Sequence, residues 1–385
     1  MKVRKIFLVS PREPSGATWL INCFLELGIM TYRINSKSMW KKEGNRFTLT
    51  NNERILKKWL PALSTYNHFN FIKDLEIEWT HDWPTSRFRG YQVVYFVRDP
   101  RDAIFSRYKR ENPKQTFRQF VDFPDPLTLL DKISRWCVFN YSWLAHDNIT
   151  VIRFEDYKKD ALGLLKQVLS DMAFKAAPEA IVRAAGASTF EKAAEAERKY
   201  RREHTADDEL INRSGRPGNW KEACEDGGVI HQIESKCGEL LSMYGYDSRH
   251  ANSECVHIIP RLSIFRNLIT FPACSVEYEK TPGKYLLDFI RDFCAETLTD
   301  SNLRDYEIPV LIETLIEYCF SNNIQPTERI VKAYDNVGNR SRYYFMAYTH
   351  TGNYRYLAKV NPFYMARMMK NRILNFTRLR FCSGS

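Results

Sequence analysis

Ile6-Phe7-Leu8-Val9-Ser10-Pro11-Arg12-Glu13-Pro14-Ser15-Gly16-Ala17-Thr18-Trp19-Leu20 is the stretch on which the fold turns. Its first four residues form a continuous apolar run, the pattern of a strand covered on both faces. Ser10 to Gly16 read as a turn. A helix is expected to start near Ser15 or Gly16, with Ala17, Leu20, Ile21, Phe24 and Leu27 facing inward and Gly28 at its C-terminal cap. A helix that opens directly after a buried strand leaves its first N–H groups free at a sheet crevice, where an anion can bind. An ordinary strand-to-helix turn has the same outline, and this segment alone does not separate the two. No Lys-Ser/Thr pair follows a glycine here, so the loop is not a Walker A loop.

Working outward, residues 29 to 34 read as a second short strand, and Tyr91 to Val97 as the strongest strand in the chain. Asp99 can cap the helix that follows, and Pro100 suits its first position. Ile149 to Phe154 is a third strand. Residues 35 to 52 are polar and read as a loop or lid. Asn51 to Leu63 and Leu127 to Ala145 read as helices, and 64 to 80 stay unassigned. Further helices are expected over Ala161 to Met172, Pro178 to Ala185, Phe190 to Lys199 and Val229 to Met243, with a charged stretch from Arg201 to Asn212. The alternation predicts an α/β fold, a mostly parallel sheet flanked by helices, complete near Asp247. The expected organisation is a domain over 1–247 and a mainly helical accessory region over 248–385, with helices at Lys284 to Leu298, Val310 to Phe320, Asn323 to Tyr334 and Tyr343 to Tyr348.

The chain has 385 residues, a formal charge of +11 and nine cysteines without paired spacing. Most of those thiols lie in apolar contexts, which fits reduced cysteines and a cytoplasmic chain. Lone Cys and sparse His form no zinc pattern, and no metal is expected. No window reads as a membrane span or signal peptide. The positive balance implies an anionic partner without choosing among nucleotide, phosphosugar, nucleic acid or membrane. From Lys359 to Arg380 there is no acidic residue, and Met and Phe alternate with Lys and Arg. Such a stretch can lie peripherally on an anionic membrane. It can equally be a core-facing helix with a solvated basic face. No DNA or RNA module is recognisable, so no nucleic-acid partner is expected.

Three segments expected at sheet ends can receive an anion: Pro11 to Gly16, Arg98 to Ser106 and Arg213 to Gly218. Arg98 and Ser106 could hold one phosphate, with Arg213 as a second fork and the N–H groups of Ser214 and Gly215 completing a cradle. Arg98 could instead pair with Asp102 or Glu155. His81, in Trp79-Thr80-His81-Asp82-Trp83-Pro84, could take a hydroxyl proton or be structural.

Taken in order, these pieces resemble the cytosolic-type sulfotransferase family, enzymes that use 3′-phosphoadenosine 5′-phosphosulfate (PAPS). Ser15-Gly16-Ala17-Thr18-Trp19 is similar to that family's 5′-phosphosulfate loop, and Thr80-His81-Asp82-Trp83-Pro84 to its histidine segment. Tyr95 to Asp102 and on to Ser106 resembles its 3′-phosphate motif. Phe154-Glu155-Asp156, Ser188-Thr189-Phe190-Glu191 and Arg213 to Lys221 resemble later segments. The resemblance covers residues 6 to 247 and implies a P-loop-like sheet and these roles. Trp19 would stack on adenine with Phe190 nearby. Arg98, Ser106 and Arg213 would hold the 3′-phosphate with Ser214 and Gly215. Thr18 and the N–H groups of Ser15, Gly16 and Ala17 would hold the phosphosulfate. His81 would deprotonate an acceptor hydroxyl on a glycan, glycolipid or secondary metabolite, and PAP would leave after in-line transfer. The chain departs from the pattern at Pro14, where the family usually has Lys, at Trp79, where it often has Lys, and at Phe154, where it has Tyr. Arg12 replaces the first lysine if Glu13-Pro14 is an insertion. Otherwise the protein is a weakened enzyme or a nucleotide-binding scaffold.

Overall fold

The computed structural model describes residues 3–111, 115–204, 215–249, 252–258, 276–278, 286, 307–326, 328, 330–331 and 340–366. The chain divides into two compact units, the first made of 1–121, 132–256 and 267–277, the second of 122–131, 257–266 and 278–385.

The first unit begins with β1 (Arg4–Val9), α1 (Ala17–Glu26), β2 (Met30–Arg33), β3 (Trp40–Glu43), β4 (Arg46–Leu49), α2 (Pro61–Thr65), β5 (Leu75–Thr80), β6 (Gln92–Val97), α3 (Pro100–Glu111), α4 (Phe117–Asp122) and α5 (Lys132–Leu144). It continues with β7 (Ile149–Arg153), α6 (Phe154–Lys159), α7 (Ala161–Asp171), α8 (Pro178–Ala187), α9 (Phe190–His204), α10 (Trp220–Ala223) and α11 (Gly227–Met243). Five strands form one parallel sheet in the order β2-β5-β1-β6-β7. β1 is central, which is why Ile6, Phe7, Leu8 and Val9 are all apolar: each is at most 2% exposed. From β1 the chain moves outward to β2 and returns through β5. It then crosses to β6 on the other side. The connections therefore diverge between β1 and β6, and a crevice opens at their C-terminal ends. The turns after Val9 and after Val97 both open there.

Some sequence expectations give way here. Residues 35 to 52 are not a plain loop, because β3 and β4 pair as an antiparallel hairpin, Trp40 opposite Leu49. Two residues, Gly44 and Asn45, make the tight connection that a lid reading overlooked. Asn51 to Leu63 is not one helix but a 3-10 segment over Asn51–Lys58, then α2, which begins at Pro61. Pro61 has no N–H to continue a helix and starts a new one instead. The helix expected from Leu127 starts only at Lys132, since Asp125 draws the N–H groups of Leu127 and Thr128 into a turn. The unassigned stretch 64 to 80 ends in β5.

In the second unit the described helices are α12 (Glu307–Ser321), α13 (Arg340–Thr351) and α14 (Tyr354–Leu357). Most of the helices expected at Lys284 to Leu298 and Asn323 to Tyr334, and the end of the basic stretch, lie outside the described residues. Among the described residues no helix is long and apolar enough to cross a membrane.

Candidate active site

The first loop closes on Gly16. Its φ of +89° is open to glycine, and a Cβ there would come within 2.6 Å of the Phe154 ring. Gly16 is also the N-cap of α1, so the N–H groups behind it stay free of side-chain caps. Ser15 and Ala17 are buried and Thr18 is exposed. Phe154 opens α6 and fills the space between two of the anticipated sites. One side meets Gly16, and the Arg98 guanidinium lies over its ring at 4.4 Å from the centroid. The residue that lacks the usual hydroxyl thus works as a spacer joining the first loop to Arg98.

Arg98 is 7% exposed. It donates to the Arg216 carbonyl at 3.0 Å and faces Asp102 at 3.5 Å, so the ion pair open from sequence is present. Its Nε is buried without a partner among the described residues. A buried guanidinium N–H left unmatched costs free energy unless an anion completes it. Asp102 then holds the late glycine-rich loop, accepting from the N–H of Gly218 at 2.6 Å and of Trp220 at 3.0 Å. Burial pushes the Asp102 carboxyl up, outweighing the opposing Arg98 charge and these N–H groups. Arg101 rivets the same motif. It bonds Asp99 at 2.7 Å, reaches Glu234 of α11 at 2.7 Å, and covers the Trp220 ring. Gly215, at φ +57°, sits so close to Phe190 that a Cβ would be 2.7 Å from that ring. Arg213 and Ser214 lie outside the described residues. Ser106 is partly buried on α3.

Trp19 is 5% exposed and stacks on Tyr157 at 4.3 Å, with its Nε1 buried and unpartnered among the described residues. Beside the pair is a cavity of about 180 Å³ lined by Trp19, Tyr157, Lys158, Thr189 and Phe190. Tyr157 was missed from sequence. Its place three residues after Phe154, on the next turn of α6, was the available signal.

His81 follows β5. Its Nδ1 is 2.9 Å from the Ser10 carbonyl. A carbonyl only accepts, so Nδ1 carries the proton and Nε2 keeps a free lone pair. The ring is exposed to solvent overall, although its Nδ1 side is crowded by the first loop. That crowding sets its titration below the ordinary histidine value. The Ser10 carbonyl opposes this, Arg12 and Arg135 add to it, and Glu13 opposes it. Arg12 therefore stands close enough to His81 to act on it electrostatically. Glu13 points the other way, 1% exposed, between Arg107 at 3.1 Å and Arg135 at 3.4 Å. Although burial opposes ionisation, the two guanidinium groups hold its carboxyl below the usual range.

Two anion-ready loops at the crevice of a parallel sheet, tied through one aromatic ring, coincide with a match to the sulfotransferase domain over residues 4–245. The chain belongs to the sulfotransferase domain family. It is 27% identical over 188 residues to Sulfotransferase 2A1 of Rattus norvegicus, covering 45% of this chain and 61% of that protein. Sulfotransferase 2A6 of the same organism is 26% identical over the same length. The chain thus aligns with less than two thirds of these relatives. A crystal structure of retinol dehydratase in complex with androsterone and inactive cofactor PAP aligns at 21% identity and a TM-score of 0.42, covering 65% of this chain and 84% of that one.

Proposed function

We propose that the protein transfers a sulfuryl group from PAPS to an acceptor hydroxyl. The observation that carries this is the unmatched Nε of buried Arg98 beside a first loop whose leading N–H groups are uncapped, with Phe154 between them. PAPS carries a charged group at each end of one nucleotide, which fits two anion sites a fixed distance apart. Arg98, with Ser106, Arg213, Ser214 and Gly215, would hold the 3′-phosphate. Ser15, Gly16, Ala17 and Thr18 would hold the 5′ end, with Arg12 in place of the absent lysine. Trp19 and Phe190 would wall the base.

When bound, PAPS supplies an activated sulfuryl group on a good leaving phosphate. The chain's own work is alignment and charge neutralisation. The Ser10 carbonyl fixes the His81 tautomer, and Nε2 is then the base for the acceptor hydroxyl. Its depressed titration keeps it unprotonated near neutral pH. A glycan, glycolipid or secondary metabolite is the acceptor class we favour. The basic run from Lys359 suits work at an anionic cytoplasmic membrane face.

Mass spectrometry of candidate acceptors incubated with PAPS and the protein tests this: one should gain sulfate as PAP appears. Pro14 favours a second reading, a nucleotide-binding scaffold without transfer. PAP binding with no acceptor sulfated by any of the panel would select it.

A further inference from the structure

The first loop and the histidine loop are both held by one face of α5. Arg135, Phe139 and Trp143 recur every four residues and so share that face. Trp143 Nε1 donates to the Asp82 carbonyl at 3.1 Å, directly after His81. Phe139 meets the edge of the next residue's ring, Trp83, at 5.1 Å. Arg135 is 1% exposed and lies 5.8 Å from both the Trp83 and the Phe139 rings. Its Nη1 reaches both carboxylate oxygens of Glu13, at 3.4 and 3.5 Å. Glu13 is also bound by Arg107, which itself bonds Glu111 at 2.7 Å. A guanidinium, held in a cluster of two arginines and two glutamates, is thus buried between the loop that opens β1's crevice and the loop that carries the base.

Burying a guanidinium is costly, and Glu13 is shared with a second one. Filling this place with apolar atoms would have been cheaper for stability alone. The local sequence explains the charge better. Pro14 and Trp79 stand where the sulfotransferase pattern has lysines, so Arg12 is the one permanent cation the two loops bring, beside the acids Glu13 and Asp82. We infer that Arg135 is a positioning residue of the sulfuryl-transfer site: it clamps the first loop through Glu13 and the histidine loop through Trp83, and it gives the pocket fixed positive charge from the far helix. This inference rests on the sulfuryl-transfer reading above.

The charges that act on His81 are Arg12 and Glu13 from the first loop and Arg135 from α5. They give the test its sign. Removing the Arg135 charge raises the His81 titration, whereas removing the Glu13 charge lowers it further. Full-length protein carrying isotope-labelled histidine is titrated by NMR, with the His81 signal assigned by its loss in His81→Ala. Arg135→Gln and Glu13→Gln are expected to move that signal in opposite directions. With PAPS as donor and phenol as acceptor probe, Arg135→Gln should slow single-turnover transfer by about tenfold or more and shift its acidic limb upward. PAP affinity should fall less than transfer does, because Arg98, which would hold the 3′-phosphate, lies elsewhere. If Arg135→Gln does not fold, Arg135→Lys carries the test, with the His81 titration retained and transfer partly lost through the missing fork. A His81 titration unmoved by both neutral variants, or moved the same way by both, overturns the inference. So does wild-type transfer in folded Arg135→Gln. Failure of the sulfuryl-transfer reading shows differently, as wild-type protein that binds no PAP or that binds it and sulfates no acceptor, and leaves the titration readable.

Discussion

The two ends of the candidate site are charged by different means. At the Arg98 end the groups come from neighbours in sequence. Arg98, Asp99, Arg101 and Asp102 fall within one turn at the end of β6; Arg98 and Asp102 reach the late loop, Arg101 reaches α11, and Asp99 holds Arg101 in place. At the His81 end the local sequence is poor in charge, and the cations Arg107 and Arg135 arrive from α3 and α5 through Glu13. The first end tolerates little change within its motif. The second has spread its chemistry over distant elements, so its substitutions at Pro14 and Trp79 do not by themselves empty the pocket of charge.

The largest effect is expected at the chemistry. His81→Ala should keep PAP binding and slow transfer on the order of 10²- to 10⁴-fold, as for loss of a general base. Rapid transfer by that variant, measured in a single turnover, would erase the distinction between the two ends. This contrast also shows what the sequence could reveal. The sheet was legible because buried strands such as β1 and β6 are continuously apolar. The Arg98 motif was legible because its parts are contiguous. Arg135 was not, because a lone arginine in an apolar helix carries no sign of the loop it faces. Nor was the role of Phe154, which depends on Gly16, a contact 138 residues away by numbering.

Next in size is Gly16→Ala. The added Cβ meets Phe154 at 2.6 Å and the backbone is left-handed, so about 1–3 kcal/mol of stability should be lost. Because Phe154 also carries Arg98, nucleotide affinity should fall as well. Thermal unfolding with and without PAP measures both. A variant equal to wild type in both would show that the ring does not couple the ends.

A pH effect follows from Glu13. Its folded carboxyl titrates below the ordinary value of 4.5, so the unfolded chain takes up that proton first as pH falls. The stabilisation is complete above that ordinary value and is lost as pH drops through the depressed folded value. Denaturant titrations from neutral to acidic pH should show this loss in wild type and a smaller one in Glu13→Gln. Equal slopes in the two would remove Glu13 from the account. The smallest effect is expected for Pro14→Lys. With charge already supplied by Arg12 and Arg135, transfer should change by less than the equivalent of about 1 kcal/mol. A large gain would mean that the His81 end lacks charge after all.

Calorimetric titration of PAP into wild-type protein and folded Arg98→Ala tests the central claim most directly. Saturable one-site binding is expected for wild type, weakened in the variant by about 1.5–3 kcal/mol, the worth of a hydrogen bond to a charged group. Wild-type protein that takes up no PAP, or a variant that binds it equally well, would contradict the account.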